Sequence, residues 1–537
     1  TARARDAVGN TATSAPVTVT VSNVTDTTPP TVSMTAPANG ATVSGTAVTV
    51  SANAADNVGV VGVQFLLDGA NLGAEDMAAP YSISWNTTTA TNGSHTLTAR
   101  ARDAAGNTAT SPVVTVTVSN APPGGQTVSA TVHDYPTGNG PVNLVSNSIP
   151  LKPGALRDPR NIRLRDGAAE VPVATRVLAS WPQDNSIRAL LVQFDAPFAG
   201  ATRTYEVDIG TPRTLPDPAL VPVTWRLPRR ILTLPALYLS DSLIVWEQKP
   251  LGQTGFPAWD TKQLSNYDRA IGTVGTAPCS NDDNYYDATG TSYQIYVRTG
   301  DLKYLVNARL WGWHHGRDQI YLSGPDIGRP RCPAGYMGNT RYTYPASLGV
   351  DYMMWGDDES RRIAGLVVDN FDMLHADSNY YLAPGTRLPW WTEREAAFAL
   401  QSILGHYEAT GDPRYLARVT NRIGLLHRMQ VDNSRRAWVH NLYDHDPGEG
   451  CLVTEWGSSP WMSGLLLEAI VKYHKLSGDP IAKESIEMAL DDLRANYLTT
   501  RAPYAGRSFR YLGCAAWLDG VPDVDNLISH AFAYGYK

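Results

Sequence analysis

Tyr407-Glu408-Ala409-Thr410-Gly411-Asp412-Pro413-Arg414-Tyr415 places an aromatic residue four positions ahead of a Gly-Asp pair. Glycine accepts the left-handed backbone that ends a helix, and a following Asp can cap the next helix through its carboxylate. Proline at the first helical position sacrifices no hydrogen bond, because that N–H would have no partner anyway. The stretch reads as the tip of a helical hairpin. The same signal occurs at Tyr296 with Gly300-Asp301, at Tyr352 with Gly356-Asp357 and at His474 with Gly478-Asp479-Pro480; in chain order the four are 56, 55 and 67 residues apart.

Around these turns, Glu395 to Tyr407, Arg414 to Gln430 and Met462 to Leu476 carry apolar residues at helical spacing, which predicts paired helices with broad buried faces. A unit of this size cannot bury its own face and must stack on its neighbours. The pattern resembles the α/α toroid shared by many polysaccharide lyases and glycoside hydrolases, and the resemblance covers residues 266–537. The short turns are expected on one face and the long connections on the other, and function should follow the long connections. They are dense in Tyr, Trp, Arg and His: beyond residue 266 lie 22 of 26 Tyr, nine of 14 Trp and nine of 11 His.

Upstream the writing changes. Residues 28–120 are poor in charge and rich in Thr, Val, Ala and Ser, with alternating runs such as Val48 to Ala52 and Val114 to Val118, and with turn signals at Asn39-Gly40, Asp68-Gly69 and Asn92-Gly93. Short alternating strands at this spacing predict a β-sandwich with Trp85 in its core. Thr1 to Asn23 matches Thr98 to Asn120 at 20 of 23 positions, so residues 1–27 read as the C-terminal part of a preceding repeat. The run Thr98-Ala-Arg-Ala-Arg-Asp-Ala-Ala-Gly-Asn107 resembles bacterial immunoglobulin-like repeats, which implies a spacer role on secreted or surface-attached proteins. By the same reading the chain is expected to continue at both ends, since Ala533-Tyr-Gly-Tyr-Lys537 resembles the approach to another hairpin turn.

After a linker at 121–125, residues 126–227 read as a further β-domain, followed by a proline-rich connecting segment at 228–265. Ser148 to Leu156, Asn161 to Gly167, Val171-Pro-Val173 and Trp181 to Leu191 resemble the N-terminal β-barrel domain of exo-acting rhamnogalacturonan lyases. Two departures mark this chain: Pro182-Gln-Asp-Asn-Ser186 stands where the family has a glycine-containing turn, and Ala189 stands where it has an aromatic. Physically, Trp181 reads as a barrel plug and Arg188 as a solvated edge charge. The fold class expected for the whole is therefore multidomain β plus α: an immunoglobulin-like sandwich, a β-barrel-like domain and an incomplete toroid of helical hairpins.

Composition narrows the function. The 537 residues carry 44 Lys+Arg against 51 Asp+Glu, a net charge of -7, without the basic run that tracks phosphates, so nucleic acid is not an expected partner. No apolar run reaches the roughly 18 residues a transmembrane helix requires. Cys279, Cys332, Cys451 and Cys514 show no CxxC spacing; two disulfides or buried thiols both remain open. No HExxH, phosphate loop or GxSxG elbow occurs, so no cofactor is required and no catalytic metal is expected. Calcium enters through Asp56, Asn57, Asp103 and Asn107, and more weakly through Asn281 to Asn284 with Asp287, although Asx residues in turns also bind their own backbone.

A lyase acting beside a uronate carboxylate needs a base such as His or Tyr and a cation or donor for the developing charge. His314, His315 and Arg317 with Tyr342 form one candidate cluster, and His440 with Tyr443 a second. A hydrolase needs two carboxyl groups, for which Asp282, Asp283, Glu393, Glu449 and Glu455 are candidates. Trp390, Trp391, Arg394, Glu455 and Trp456 are candidate sugar-binding residues, whereas Trp355 and Trp438 read as core. Glu393-Arg394-Glu395 can equally be a helix start with a surface salt bridge. The expectation is a secreted, extracellular or cell-surface polysaccharide lyase acting on an acidic glycan by β-elimination. A glycoside hydrolase and a non-catalytic adhesin or self-assembling filament subunit are the alternatives.

Overall fold

The computed structural model describes residues 1–20, 26–91, 93–118, 125–270, 287–331, 344–374, 376–388, 391–444, 452 and 454–497. Tyr342, Trp390, Asp282, Asp283, Glu449 and the four cysteines lie outside the described residues. The chain divides into two compact units, Thr1–Ala121 and Pro122–Lys537.

In the first unit, β-branched residues alternate with small polar ones, and the strands follow that period of two. Thr31–Ala36, Val48–Ala55 and Ser82–Trp85 form a three-stranded sheet, and Gly93–Asp103 is central to a six-stranded sheet that includes Val60–Leu67 and Val114–Val118. Their inner faces meet through Val50, Phe65, Trp85, Leu97 and Val116, so Trp85 fills the sandwich core as expected. Repeated sequence makes a repeated hairpin: Arg3 pairs with Thr13 in the same register that sets Arg100 opposite Thr110. Asp6 and Asp103 each accept the backbone N–H of the Asn four residues on, at 2.8 Å.

The second unit opens with an eight-stranded sheet in the order Ala169–Val171, Ile162–Asp166, Thr202–Ile209, Gln126–Asp134, Arg230–Thr233, Leu144–Pro150, Ile187–Asp195, Ala174–Ser180. Its two outermost strands are consecutive in the chain, joined only by Pro172-Val173. So short a link cannot span a flat sheet of eight strands about 4.8 Å apart, and the sheet must therefore curl on itself. It is barrel-like but open. Arg230–Thr233, within the segment read as a connection, takes a central place in it with all four residues buried.

Among the described residues ten α-helices follow: α1 (Ala236–Asp241), α2 (Pro257–Ala270), α3 (Ala288–Thr299), α4 (Leu302–Asp318), α5 (Pro345–Trp355), α6 (Asp358–Leu374), α7 (Glu393–Thr410), α8 (Pro413–Asp432), α9 (Pro460–Ser477) and α10 (Pro480–Asn496). The four Gly-Asp turns do what the sequence predicts. Gly300, Gly356, Gly411 and Gly478 have φ of 70, 70, 68 and 69°, and each donates its N–H to the carbonyl four residues back. Asp301, Asp357, Asp412 and Asp479 each accept the N–H two residues on.

Four hairpins result, α3/α4, α5/α6, α7/α8 and α9/α10. The first helices α3, α5, α7 and α9 pack side by side in an inner layer, and α5, α7 and α9 are buried on nearly every side. The second helices flank them and keep a solvent face, as their alternation of apolar and charged residues requires.

The sheet covers the short-turn end. A Cβ on Gly300 would lie 2.9 Å from the Leu234 carbonyl oxygen, and one on Gly356 would lie 2.9 Å from Leu191. Trp181 is a plug as expected, 2% exposed, with its indole donating to the Leu151 carbonyl at 2.7 Å. Arg188 is not a solvated edge charge. It is 1% exposed, lies over the Trp181 ring and pairs with Glu408 of α7, because the helices pack onto the very edge that an isolated barrel would present to water.

Candidate active site

With the sheet over the short turns, the long connections emerge at the opposite end, where α4 finishes and α7 and α9 begin. Thr392 caps α7 by accepting the Glu395 N–H, which sets Glu393 at the first helical position. The positive end of the helix dipole favours a carboxylate there. Glu393 is fully buried, and neither carboxylate oxygen receives a hydrogen bond among the described residues. Its Oε2 lies 3.1 Å from Nδ1 of His440, itself 2% exposed. Arg394 and Glu395 are also buried, so this triplet is not a surface salt bridge.

His440 is held by a two-residue strand in which His440 faces Gly457 and Asn441 faces Trp456. The ring of Trp391 lies 6.2 Å from the imidazole, and Trp391 is 2% exposed, packed in the apolar core around α7. Arg394 sits 5.2 Å above the Trp461 ring at the start of α9. Tyr443 is half-buried, with the Arg387 guanidinium 5.7 Å from its ring. Glu455 braces the same connection: its side chain accepts the Leu452 N–H at 2.6 Å and its carbonyl accepts the Leu442 N–H at 3.0 Å. Trp456 opens onto a pocket of about 370 Å³ lined also by Arg435, Leu442, Asn496 and Tyr497.

The structure thus gathers Glu393, His440 and Trp391 at one place, with Arg394 next to Glu393 in the chain. It does not bring His314, His315 and Arg317 together in one place. Those residues form the last turns of α4, and a helix rotates each successive side chain by about 100°. His314 turns to Asp318, 2.7 Å from its carboxylate, and its Nε2 has no hydrogen-bond partner among the described residues. His315 points inward to Gln319 and accepts the Tyr344 N–H, and burial pushes its imidazole down to about 4. Arg317 stacks on Trp313 with its guanidinium carbon 3.6 Å from the ring centre and pairs with Asp357 at 2.7 Å. Trp355 and Trp438 are each 1% exposed, the core positions their spacing suggests.

Arg435, Leu442, Asn496 and Tyr497 at the pocket were not singled out from the sequence, nor was Asp492, which pairs with Arg435. Arg435 donates to Tyr497 at 2.6 Å and to Asp492 at 3.0 Å, and burial pushes the Asp492 carboxyl up in spite of that cation. Nothing local marks them, since Arg435 is separated by 57 and 62 residues from its partners.

Residues 30–99 match the sequence model of the bacterial Ig domain, so the first unit contains such a domain. No curated protein matches the chain. Among solved structures, fibronectin(III)-like modules of Clostridium thermocellum CbhA are 26% identical over 16% of this chain and 94% of theirs, with a TM-score of 0.15. A polysaccharide lyase is 11% identical, covering 94% of this chain and 64% of its own, with a TM-score of 0.33. A D-mannose isomerase is 12% identical, covering 51% of this chain and 80% of its own, with a TM-score of 0.33. At these TM-scores the likenesses carry no argument about fold or activity. No described helix is long and apolar enough to cross a membrane.

Proposed function

We propose that the second unit is the working part of a secreted carbohydrate-active enzyme, a polysaccharide lyase that cleaves an acidic glycan by β-elimination, with the bacterial Ig domain as an extracellular spacer. The observation that carries this reading is the approach of Glu393 to His440 at 3.1 Å, both buried, at the long-connection end of the hairpin array. A carboxylate beside one ring nitrogen fixes the orientation of the imidazole, and the other nitrogen is proposed as the base.

In this reading His440 takes the proton from the carbon next to the uronate carboxylate. The electron pair becomes the new double bond as the glycosidic C–O bond breaks, and the leaving oxygen is protonated by Tyr443. Arg394 neutralises the uronate carboxylate, a task for a cation placed where negative charge develops. Glu455 and Trp456 are proposed as walls of the cleft, and His314, whose Nε2 has no hydrogen-bond partner among the described residues, as a further member; Arg317, paired with Asp357, and Trp391, packed in the core, are proposed to support it, while Tyr342 and Trp390 lie outside the described residues. His315 is proposed to act through packing.

The test is incubation of the full chain with uronate-containing polymers. The expected result is an ultraviolet-absorbing unsaturated product, lost in His440→Ala. New reducing ends without that absorbance would replace the lyase with a hydrolase that uses a carboxylate pair. Binding without either product would leave only an adhesin.

A further inference from the structure

The three loops at one end of the Ig-like sandwich bring together carboxylates that are far apart in the chain. Asp26 comes from the segment entering the domain, Asp56 from the turn after Val48–Ala55 and Asp103 from the last position of the strand Gly93–Asp103. One carboxylate oxygen from each lies within 4.8 Å of the others. None of the three takes part in an ion pair among the described residues, and Asp103 is only 2% exposed.

A second observation is independent of this convergence. Asp26 uses Oδ1 to accept the Thr28 N–H and the Asn57 amide, and Asp56 uses Oδ2 to accept the Val58 and Gly59 N–H groups. The remaining oxygens, Asp26 Oδ2 and Asp56 Oδ1, are sealed from solvent and receive no hydrogen bond among the described residues. A buried anionic oxygen with neither water nor donor is strongly unfavourable, and two beside a third carboxylate more so. A cation among them removes both penalties. Asn107 holds Asp103 in place, its backbone N–H and its side-chain amide each donating to the Asp103 carboxylate at 2.8 Å.

We propose that Asp26, Asp56 and Asp103 bind a calcium ion that ties the entering segment to two turns of the Ig-like domain. All the donors are hard oxygens, which excludes the preferences of zinc and copper. Ligands about 2.4 Å from calcium on opposite sides of the ion are about 4.8 Å apart, the outer limit of this cluster, and calcium tolerates the irregular set that turns and amides supply better than magnesium does. Asn57 and Asn107 are the further side chains at hand, each already hydrogen-bonded to Asp26. The preceding repeat supplies an internal contrast. Asp6 makes the same turn with Asn10 but is exposed and belongs to no such cluster among the described residues, so the Asp-x-x-x-Asn turn alone does not make the site.

Calorimetric titration of the EDTA-treated full chain with calcium chloride tests this. The wild type should bind with an affinity of roughly 10⁻⁴–10⁻³ M, as extracellular modules do. Asp26→Asn with Asp56→Asn should lose one equivalent, Asp103→Asn should lose the same equivalent, and Asp6→Asn should lose none. Both asparagine changes preserve the turn hydrogen bonds, and unchanged near-ultraviolet circular dichroism checks that the domain remains folded. Equal calcium stoichiometry in the wild type and the double variant, no binding by the wild type up to millimolar calcium, or equal competition by magnesium would each overturn the proposal.

Discussion

The Arg188 guanidinium lies 2.5 Å from the Glu408 carboxylate, with both side chains almost wholly closed to solvent. Arg188 belongs to the strand Ile187–Asp195 and Glu408 to the last turn of α7, so this pair ties the open barrel to the helical hairpins. Lys472 of α9 completes it from the other side of Glu408, and Trp181 backs the guanidinium at 4.4 Å. Burial pushes the Glu408 carboxyl up, but the two cations outweigh it and hold the group below its usual range.

Removing one member should therefore cost more than the pair itself is worth. Arg188→Ala leaves Glu408 buried with Lys472 alone and opens a cavity beside Trp181; a loss of about 3–5 kcal/mol is expected, as for other broken buried pairs. Arg188→Met with Glu408→Leu should recover much of it. Urea midpoints followed by tryptophan fluorescence provide the comparison, and a loss under about 1 kcal/mol for Arg188→Ala would mean the pair is not closed to water.

The hairpin turns differ in what surrounds them, which orders their tolerance to alanine. At Gly411 no atom lies within 4 Å of an added Cβ, so only the positive φ resists, at about 1–2 kcal/mol. At Gly300 the same strain is joined by a clash with the rigid Leu234 carbonyl. Gly300→Ala should lower the thermal midpoint distinctly more than Gly411→Ala. Equal shifts would show that the sheet does not press on the first turn.

Two buried histidines make stability depend on mild acid. Burial pushes His315 and His406 down to about 4, while the unfolded chain titrates near 6.5. Between these values the unfolded state binds more protons, so stability is full above about 6.5 and is lost progressively as pH falls toward 4. Each site accounts for about 3 kcal/mol at the limit. Asp287, pushed up to about 6 by burial, acts in the opposite sense over much the same range and offsets part of one histidine. His315→Asn should flatten the pH dependence of the urea midpoint between 6.5 and 4; an unaltered slope would assign the effect elsewhere.

Glu393→Gln separates orientation from packing. The amide keeps the shape of the buried carboxyl but no longer fixes the tautomer and orientation of His440, so kcat for β-elimination should fall by about 10²–10⁴ while KM changes little. A thermal midpoint no lower than the wild type would exclude a folding defect. Retained kcat would remove Glu393 from the proposed mechanism.

Much of the architecture was legible because its causes are local. The Gly-Asp turns, the helices on either side and the alternating strands around Trp85 follow from backbone preferences and from periods of 3.6 and 2. The candidate site was legible only in part. His440, Trp391 and Arg394 stood out by residue type, but their convergence on Glu393 did not. In the Trp313 to Arg317 run the aromatics and charges mask the helical period, so the sequence does not show that, as the end of α4, it sends His314, His315 and Arg317 to separate partners.

By itself the sequence determined where hairpins turn, which positions need glycine, and that a repeated motif makes a repeated hairpin, since each depends on a few neighbouring residues. Tertiary structure alone decided that Arg188 is buried, that Glu393 meets His440, and that Asp26 joins Asp56 and Asp103. Burial and charge pairing depend on which distant surfaces come together, and an arginine on an uncovered barrel edge would be as solvated as its sequence suggests.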